Sequence, residues 1–300
     1  MAEVFGRFYE QHGKTLVSSG EVARSLRYWL EFHTTATVKE ALQPHKQAQF
    51  RQLLAKTKCL APNSVRRVLA DGKSALNWAW KRGEVDALPY IELVKAPRPE
   101  PKGRPLNVDE IVQLFKTATS PHLKVFMAFM LATAGRTGAI VDLTYSQIDL
   151  SNNLIHLNPA GRQQNKKYRP TVRLPEQLIE YVEHHLHLTP NGSVVAYDGK
   201  AVTTVRRSWR NTKKRSGLTG NVQTYSFRHT IARWLRQKSV PAWEVSAQLG
   251  HKAPEYSTTE IYAPFDPAYL TNSVEAIDDF LAQVACQLRA KTMSEYLLRL

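Results

Sequence analysis

"KAPRPEPKGRPL", residues 95–106, divides the chain into two unlike halves. Four prolines and a glycine stand there among charges. Proline fixes φ and removes a backbone donor, so the run cannot join a helix and reads as an extended linker. Before it the periodicity is helical throughout, and after it helices mix with short alternating strands. The chain is therefore expected to be mainly α with a small β-sheet (α+β). The expected boundaries are a helical domain at 1–94, a linker at 95–106, a second domain at 107–270 and a helical tail at 271–300.

On the N-terminal side, VARSLRYWLEF (22–32) and QAQFRQLLAKT (47–57) carry apolar residues at three- and four-residue spacing. SVRRVLADGKSALNWAWKRG (64–83) continues the pattern, with Asn63 or Ser64 as a cap and Gly83 as a stop. Its polar face holds Arg66, Arg67, Lys73, Lys81 and Arg82. That face is either simply solvated or a contact for phosphates.

On the C-terminal side, Asn107 followed by Glu110 is a capping box opening DEIVQLFKTA. HLKVFMAFMLATA (122–134) is apolar on every face and is expected to be the core helix of its domain. NLIHLN (153–158) and RPTVRLP (169–175) alternate polar and apolar residues around AGRQQNKKY, which predicts a β-hairpin with a basic tip. PEQLIEYVEHHLHL (175–188) returns to helix, and SVVAY (193–197) reads as a short strand. His184 and His187 lack an acidic or cysteine companion at ligand spacing, so this histidine run reads as a surface helix and not a metal site. The amphipathic stretch 266–288 either packs on its own domain or docks on a neighbouring copy.

Lys and Arg number 41 against 26 Asp and Glu, a formal charge of +15. An excess of that size points to a polyanion, nucleic acid before membrane. Between Gly199 and Trp243 there are eleven Lys or Arg and no Asp or Glu. VRRSWRNTKKR (205–215) gathers Arg206, Arg207, Arg210, Lys213 and Lys214 on one expected helix, spaced for phosphates. No apolar run is long enough to span a bilayer and no signal-peptide core opens the sequence, so a cytoplasmic, nucleoid-associated protein without membrane contact is expected. Cys59 and Cys286 read as buried small hydrophobes. Trp78, Trp80, Trp209 and Trp234 read mostly as core.

Two arginines stand out. Arg136 lies between two glycines in ATAGRTGAIVDLTYSQIDL (132–150), where its planar fork suits either a bidentate phosphate contact or an ion pair with Asp142 or Asp149. Arg228, followed by His229 in TYSFRHTIARWL (224–235), has no carboxylate nearby in sequence. Leu249, Gly250 and His251 then form a helix end, and Tyr262 follows in TTEIY.

These four boxes, AGRTGAIVDLTYSQIDL, YSFRHT, LGH and TTEIY, in this order, resemble the signature of the tyrosine recombinase or phage integrase family. The resemblance covers about residues 107–265. It implies a helical core-DNA-binding domain joined to a tyrosine-recombinase catalytic domain, clamped around DNA. It implies a site-specific recombinase or integrase of a mobile element that needs neither metal nor nucleotide cofactor. Tyr262 would attack the scissile phosphate and form a 3′-phosphotyrosyl link. Arg136, Arg228 and His251 would hold the phosphate, and a hairpin lysine, Lys166 or its neighbour Lys167, would protonate the leaving 5′-oxygen. The implied partners are double-stranded recombination sites, a homo-tetramer on DNA, and an accessory bending or directionality protein. A Xer-like resolvase, or a catalytically silent DNA-binding protein of the same fold, is the alternative.

Three departures from the family pattern stand out. Tyr225 occupies the place where the family usually has His or Lys, and a phenol is a poor base at neutral pH. Ala139 replaces an acidic residue three places after the first arginine. The His251-to-Tyr262 loop is longer than usual and contains Tyr256, a rival nucleophile.

Overall fold

A computed structural model describes residues 1–98, 100–165, 167–251 and 265–300. It divides into two units, Met1–Glu100 and Pro101–Leu300. The first is built from α1 (Ala2–Gln11), α2 (Ser19–Phe32), α3 (Val38–Ala41), α4 (Pro44–Gln52) and α5 (Pro62–Trp80). Proline opens both α4 and α5, where its missing N–H costs nothing. The start of α5 thus falls at Ala61 as N-cap, ahead of the expected Asn63 or Ser64.

The core of this unit is organised around Trp29, which is fully buried between Phe5 and Phe50 and donates its indole N–H to the Val68 carbonyl at 2.9 Å. Gly72 makes that approach feasible, because a Cβ there would lie 2.3 Å from the Trp29 Nε1. On the outer face of α5, Arg67 is paired with Glu21 at 2.7 Å, while Arg66 reaches the Val94 carbonyl at 3.4 Å. Trp80 departs from the core reading and is 37% exposed, one place beyond Ala79, the last buried residue of α5.

The second unit begins with α6 (Val108–Thr117), capped by the reciprocal Asn107 and Glu110 bonds that the sequence predicted. Then comes α7 (Pro121–Thr133), in which eleven of thirteen residues are buried. Around it are arranged α8 (Thr137–Val141), the antiparallel sheet β1 (Ile148–Asp149), β2 (Leu154–His156) and β3 (Thr171–Arg173), and then α9 (Ile179–Leu188). The hairpin register pairs Ile155 with Val172, putting both under the core, as the alternation of the two runs requires. A small ribbon follows, β4 (Ala196–Tyr197) and β5 (Lys200–Ala201), then α10 (Arg206–Ser216), α11 (Ser226–Gln237), α12 (Ala242–Gln248), α13 (Thr271–Gln287) and α14 (Met293–Leu298).

The segment read as a tail belongs to this core. Ala276, Ile277, Phe280, Leu281 and Val284 of α13 are buried in the same cluster as α6, α7 and α11. The Trp234 indole of α11 donates to the Ala276 carbonyl at 2.7 Å, and the buried Glu244 of α12 caps the start of α13 through the Ser273 N–H at 2.5 Å. Pro101–Leu106 is likewise fastened to this unit. Arg104 holds Glu110 through both terminal nitrogens, and the Leu106 N–H donates to Thr230 Oγ1 at 2.8 Å.

Both cysteines contradict the reading as buried hydrophobes. Cys59 is exposed in a turn at φ 50°, and Cys286 lies exposed at the end of α13, between residues whose neighbours Val284 and Ala285 take the core positions. Among the described residues, no helix is long and apolar enough to cross a membrane, and no group of three His, Cys, Asp or Glu is placed to hold a metal ion.

Candidate active site

The chain leaves α7 through Ala134 in the left-handed region, φ 50°, a conformation that a residue with a Cβ holds only under external restraint. Three bonds supply the restraint. Gln248 of α12 donates to the Thr133 carbonyl at 3.0 Å, the Gly135 N–H donates to Thr133 Oγ1 at 3.0 Å, and Arg228 Nη1 donates to the Ala134 carbonyl at 2.8 Å. The turn delivers Arg136 to the N-cap of α8, half-buried.

Of the alternatives open for Arg136, an ion pair with Asp142 or Asp149 is absent. Asp142 pairs with Arg169 at 2.7 Å and Asp149 accepts from Asn152. Arg136 instead donates to the Tyr168 carbonyl on the second limb of the hairpin.

Arg228 sits in the first turn of α11 and is only 5% exposed. Besides Ala134, it donates to the Leu249 carbonyl at 2.6 Å, and its Nη2 lies 3.2 Å from His251 Nε2. A guanidinium only donates, so His251 Nε2 accepts there and the imidazole is neutral with its proton on Nδ1. Burial, then the Arg228 and Arg136 cations, hold His251 below the usual histidine range. Burial also pushes Arg228 down to about 10, with Arg136 adding to the effect, which leaves it cationic at neutral pH.

Gly250 carries the turn at φ 62°, and a Cβ on it would lie 2.7 Å from Pro170 Cδ and 3.1 Å from the Tyr168 carbonyl. The backbone of the Leu-Gly-His turn therefore rests directly on the base of the hairpin. Tyr225 precedes α11, its ring 5.9 Å from the Arg228 guanidinium and T-shaped against His229 at 5.5 Å. His229 packs beside the site, its Nε2 buried and without a partner among the described residues.

Arg136, Arg228, His251 and Tyr225 thus converge from α8, α11 and the end of α12, and the hairpin backbone closes the group. Lys166, Tyr262 and Tyr256 lie outside the described residues. Lys167 is described and exposed near the hairpin tip, its backbone N–H on Asn165 Oδ1 at 2.8 Å.

The residues read as phosphate contacts on α10 divide by face. Trp209, Thr212 and Ser216 are buried, while Arg206, Arg207, Arg210 and Lys214 are exposed with no ion pair to a described carboxylate. Lys213 is half-buried and reaches the Gly220 carbonyl at 3.4 Å. Arg215 is used structurally, donating to the Thr117 carbonyl at 3.0 Å.

A cationic group assembled from three separated boxes invites comparison with known proteins. The phage integrase family model matches residues 104–268, more than half of the chain. The chain belongs to the phage integrase family. It is a site-specific DNA recombinase of the tyrosine type. This family member is 26% identical over 217 residues to the tyrosine recombinase XerC of Chlamydia caviae, covering 67% of each chain. It is 24% identical over 291 residues to XerC of Vibrio cholerae serotype O1, covering 90% of each.

Among solved structures, the phage integrase family chain has the fold of lambda integrase residues 75–356, seen as a dimer bound to a COC′ core site. There the TM-score is 0.62 at 14% identity over 84% of this chain and 95% of that one. XerH bound to a palindromic difH substrate in a post-cleavage complex gives 0.60 at 17% identity, over 87% of this chain and 80% of that one.

Proposed function

We propose that this recombinase cuts and rejoins double-stranded recombination sites through Tyr262, with Arg136, Arg228 and His251 holding the scissile phosphate. The observation that carries the proposal is the meeting of two arginines and a histidine from three separate elements, with the buried Arg228 only 3.2 Å from His251. Like cations are brought together at an electrostatic cost that an arriving phosphate repays. The Tyr262 Oη would form a bond to phosphorus, giving up its proton to solvent, as the bond to the 5′-oxygen breaks. Lys166, or its neighbour Lys167, gives that oxygen its proton. Tyr225 supplies a hydrogen bond to phosphate in place of the usual His or Lys.

On this reading the exposed arginines of α10 and Arg66 of α5 take up DNA phosphates. Arg67 joins them only by loosening its pair with Glu21. The dimer of lambda integrase on a core site, and its tetramer on a Holliday junction, support a tetramer across two duplexes, with integration or excision of a mobile element as the biological reaction.

The test uses supercoiled DNA carrying the sequence that flanks the gene, incubated with wild-type protein, Tyr262→Phe and Tyr256→Phe. Protein covalently joined to DNA is measured after denaturation with SDS. Adducts from wild type and Tyr256→Phe but not from Tyr262→Phe are expected. An adduct that survives Tyr262→Phe and disappears in Tyr256→Phe reassigns the nucleophile.

A further inference from the structure

Ala139, where the family carries an acid, is buried at 2% exposure and offers no charge. The acid nearest that place is Asp142, at the C-cap of the helix that Arg136 opens. A carboxylate is electrostatically misplaced at the carbonyl end of a helix, so its position calls for a specific partner. That partner is Arg169, 2.7 Å away on the second limb of the hairpin.

Arg169 is 13% exposed at its side chain, against 53% for Asp142, and its Nη1 is buried with no partner among the described residues. Among the described residues Asp142 is the carboxylate that opposes this largely buried cation, and the guanidinium takes its orientation from it. The neighbours of Arg169 are held as well. Arg136 donates to the Tyr168 carbonyl, Pro170 lies against Gly250, and the Gln164 side chain closes the tip by bonding both the N–H and the carbonyl of Arg169, at 3.1 and 2.8 Å. The limb that leads back from the tip is thus pinned to the two elements that present Arg136 and His251.

We propose that Asp142 and Arg169 form a positioning pair that sets the hairpin tip, and with it the general-acid lysine, against the leaving oxygen. This rests on the proposed assignment of that acid to the tip. The pair stands in for the acid missing at Ala139. It touches no substrate and acts through the hairpin. Loss of the pair leaves the arginines in place and misplaces the proton donor, and a displacement of about 1 Å at such a group costs on the order of 100-fold in rate.

The readout separates the acid from the rest of the site. Once the cleaved position is mapped by the adduct assay, two duplexes are made, one with the natural 5′-oxygen and one with sulfur at that bridging position. Cleavage of the first needs a proton on the leaving oxygen, whereas the second releases a thiolate that leaves without one.

Asp142→Asn and Arg169→Gln are expected to slow adduct formation about 10- to 100-fold on the oxygen substrate. On sulfur they are expected to stay within about threefold of wild type, with Lys166→Ala or Lys167→Ala as the control showing the same rescue. Arg169→Lys, which keeps a charge for Asp142, is expected to retain most of the rate and to show that the other variants do not fail through misfolding. Equal losses on both substrates while a lysine variant is rescued overturn the proposal and leave the general acid standing. Rescue of neither lysine variant removes the general acid from the hairpin, and the proposal falls with it.

Discussion

Arg228 has two duties that a sequence cannot separate. Its guanidinium closes a strained turn through Ala134 and a second turn through Leu249, and it still faces His251. Lysine, a point donor on a flexible stem, cannot serve both carbonyls at once. Arg228→Lys is therefore expected to cost about 2–3 kcal/mol, because a buried acceptor is left without its donor. It should also lower adduct formation by ~100-fold or more. A melting temperature unchanged from wild type, read by circular dichroism, would show that the two carbonyls do not depend on this residue. The sequence singled out Arg136 by its glycine neighbours and Arg228 by its acid-free surroundings, and His251 through the resemblance to the family. It gave no access to the partner of Arg136, since a backbone carbonyl 32 residues away carries no side-chain signature. The Asp142 pair with Arg169 was equally hidden, because both residues are unremarkable charges until the hairpin folds back on α8.

At the scale of elements, the local rules were strong where chemistry and period agreed. The Asn107 and Glu110 capping box, the alternating hairpin strands and the basic face of α10 all follow from neighbours in sequence. What an amphipathic pattern does not say is which surface covers its apolar face, and α13 is the example. Its stripe of Ile277, Phe280, Leu281 and Val284 completes the core of its own unit. Each such side chain contributes about 1.5–3 kcal/mol by burial, so together they rival the net stability of a domain. Deletion of residues 271–300 is thus expected to abolish the cooperative melting of the second unit along with every DNA transaction that depends on it. A soluble truncated chain with a sharp thermal transition and unimpaired single-site DNA binding would contradict this. The truncation cannot serve as a selective test of assembly between copies. The cysteines were misread for a related reason, since exposure within a helix is set by which neighbours face the core.

For the molecule as a whole, proton linkage ties stability to pH with a definite sign. His122, His185, His229 and His251 are held below their ordinary range chiefly by burial, and His33, enclosed by Trp29 and Phe50, is pushed down to about 4. A histidine with a depressed folded pKa binds fewer protons than its unfolded counterpart, so its contribution is present above about 6.5 and is lost as pH falls. The melting temperature is expected to drop between pH 7.5 and 5.5, a window above the titration of the carboxylates. A flat or rising profile there would mean that these imidazoles are as free to protonate in the fold as in the open chain.

The enclosure of α7 also fixes when the enzyme can come into being. Residues 121–133 are walled in by helices as distant as 271–298, so the hydrophobic segment waits for partners made much later. At ordinary translation speed that interval is roughly 10–30 s, during which a nascent chain exposes Phe126, Phe129 and Met130 to whatever is nearby. Chaperone occupancy on the ribosome should therefore rise as α7 emerges and fall only after α13 follows. Until then Arg228 has no settled Ala134 turn to close, and the group it forms with His251 is not yet assembled.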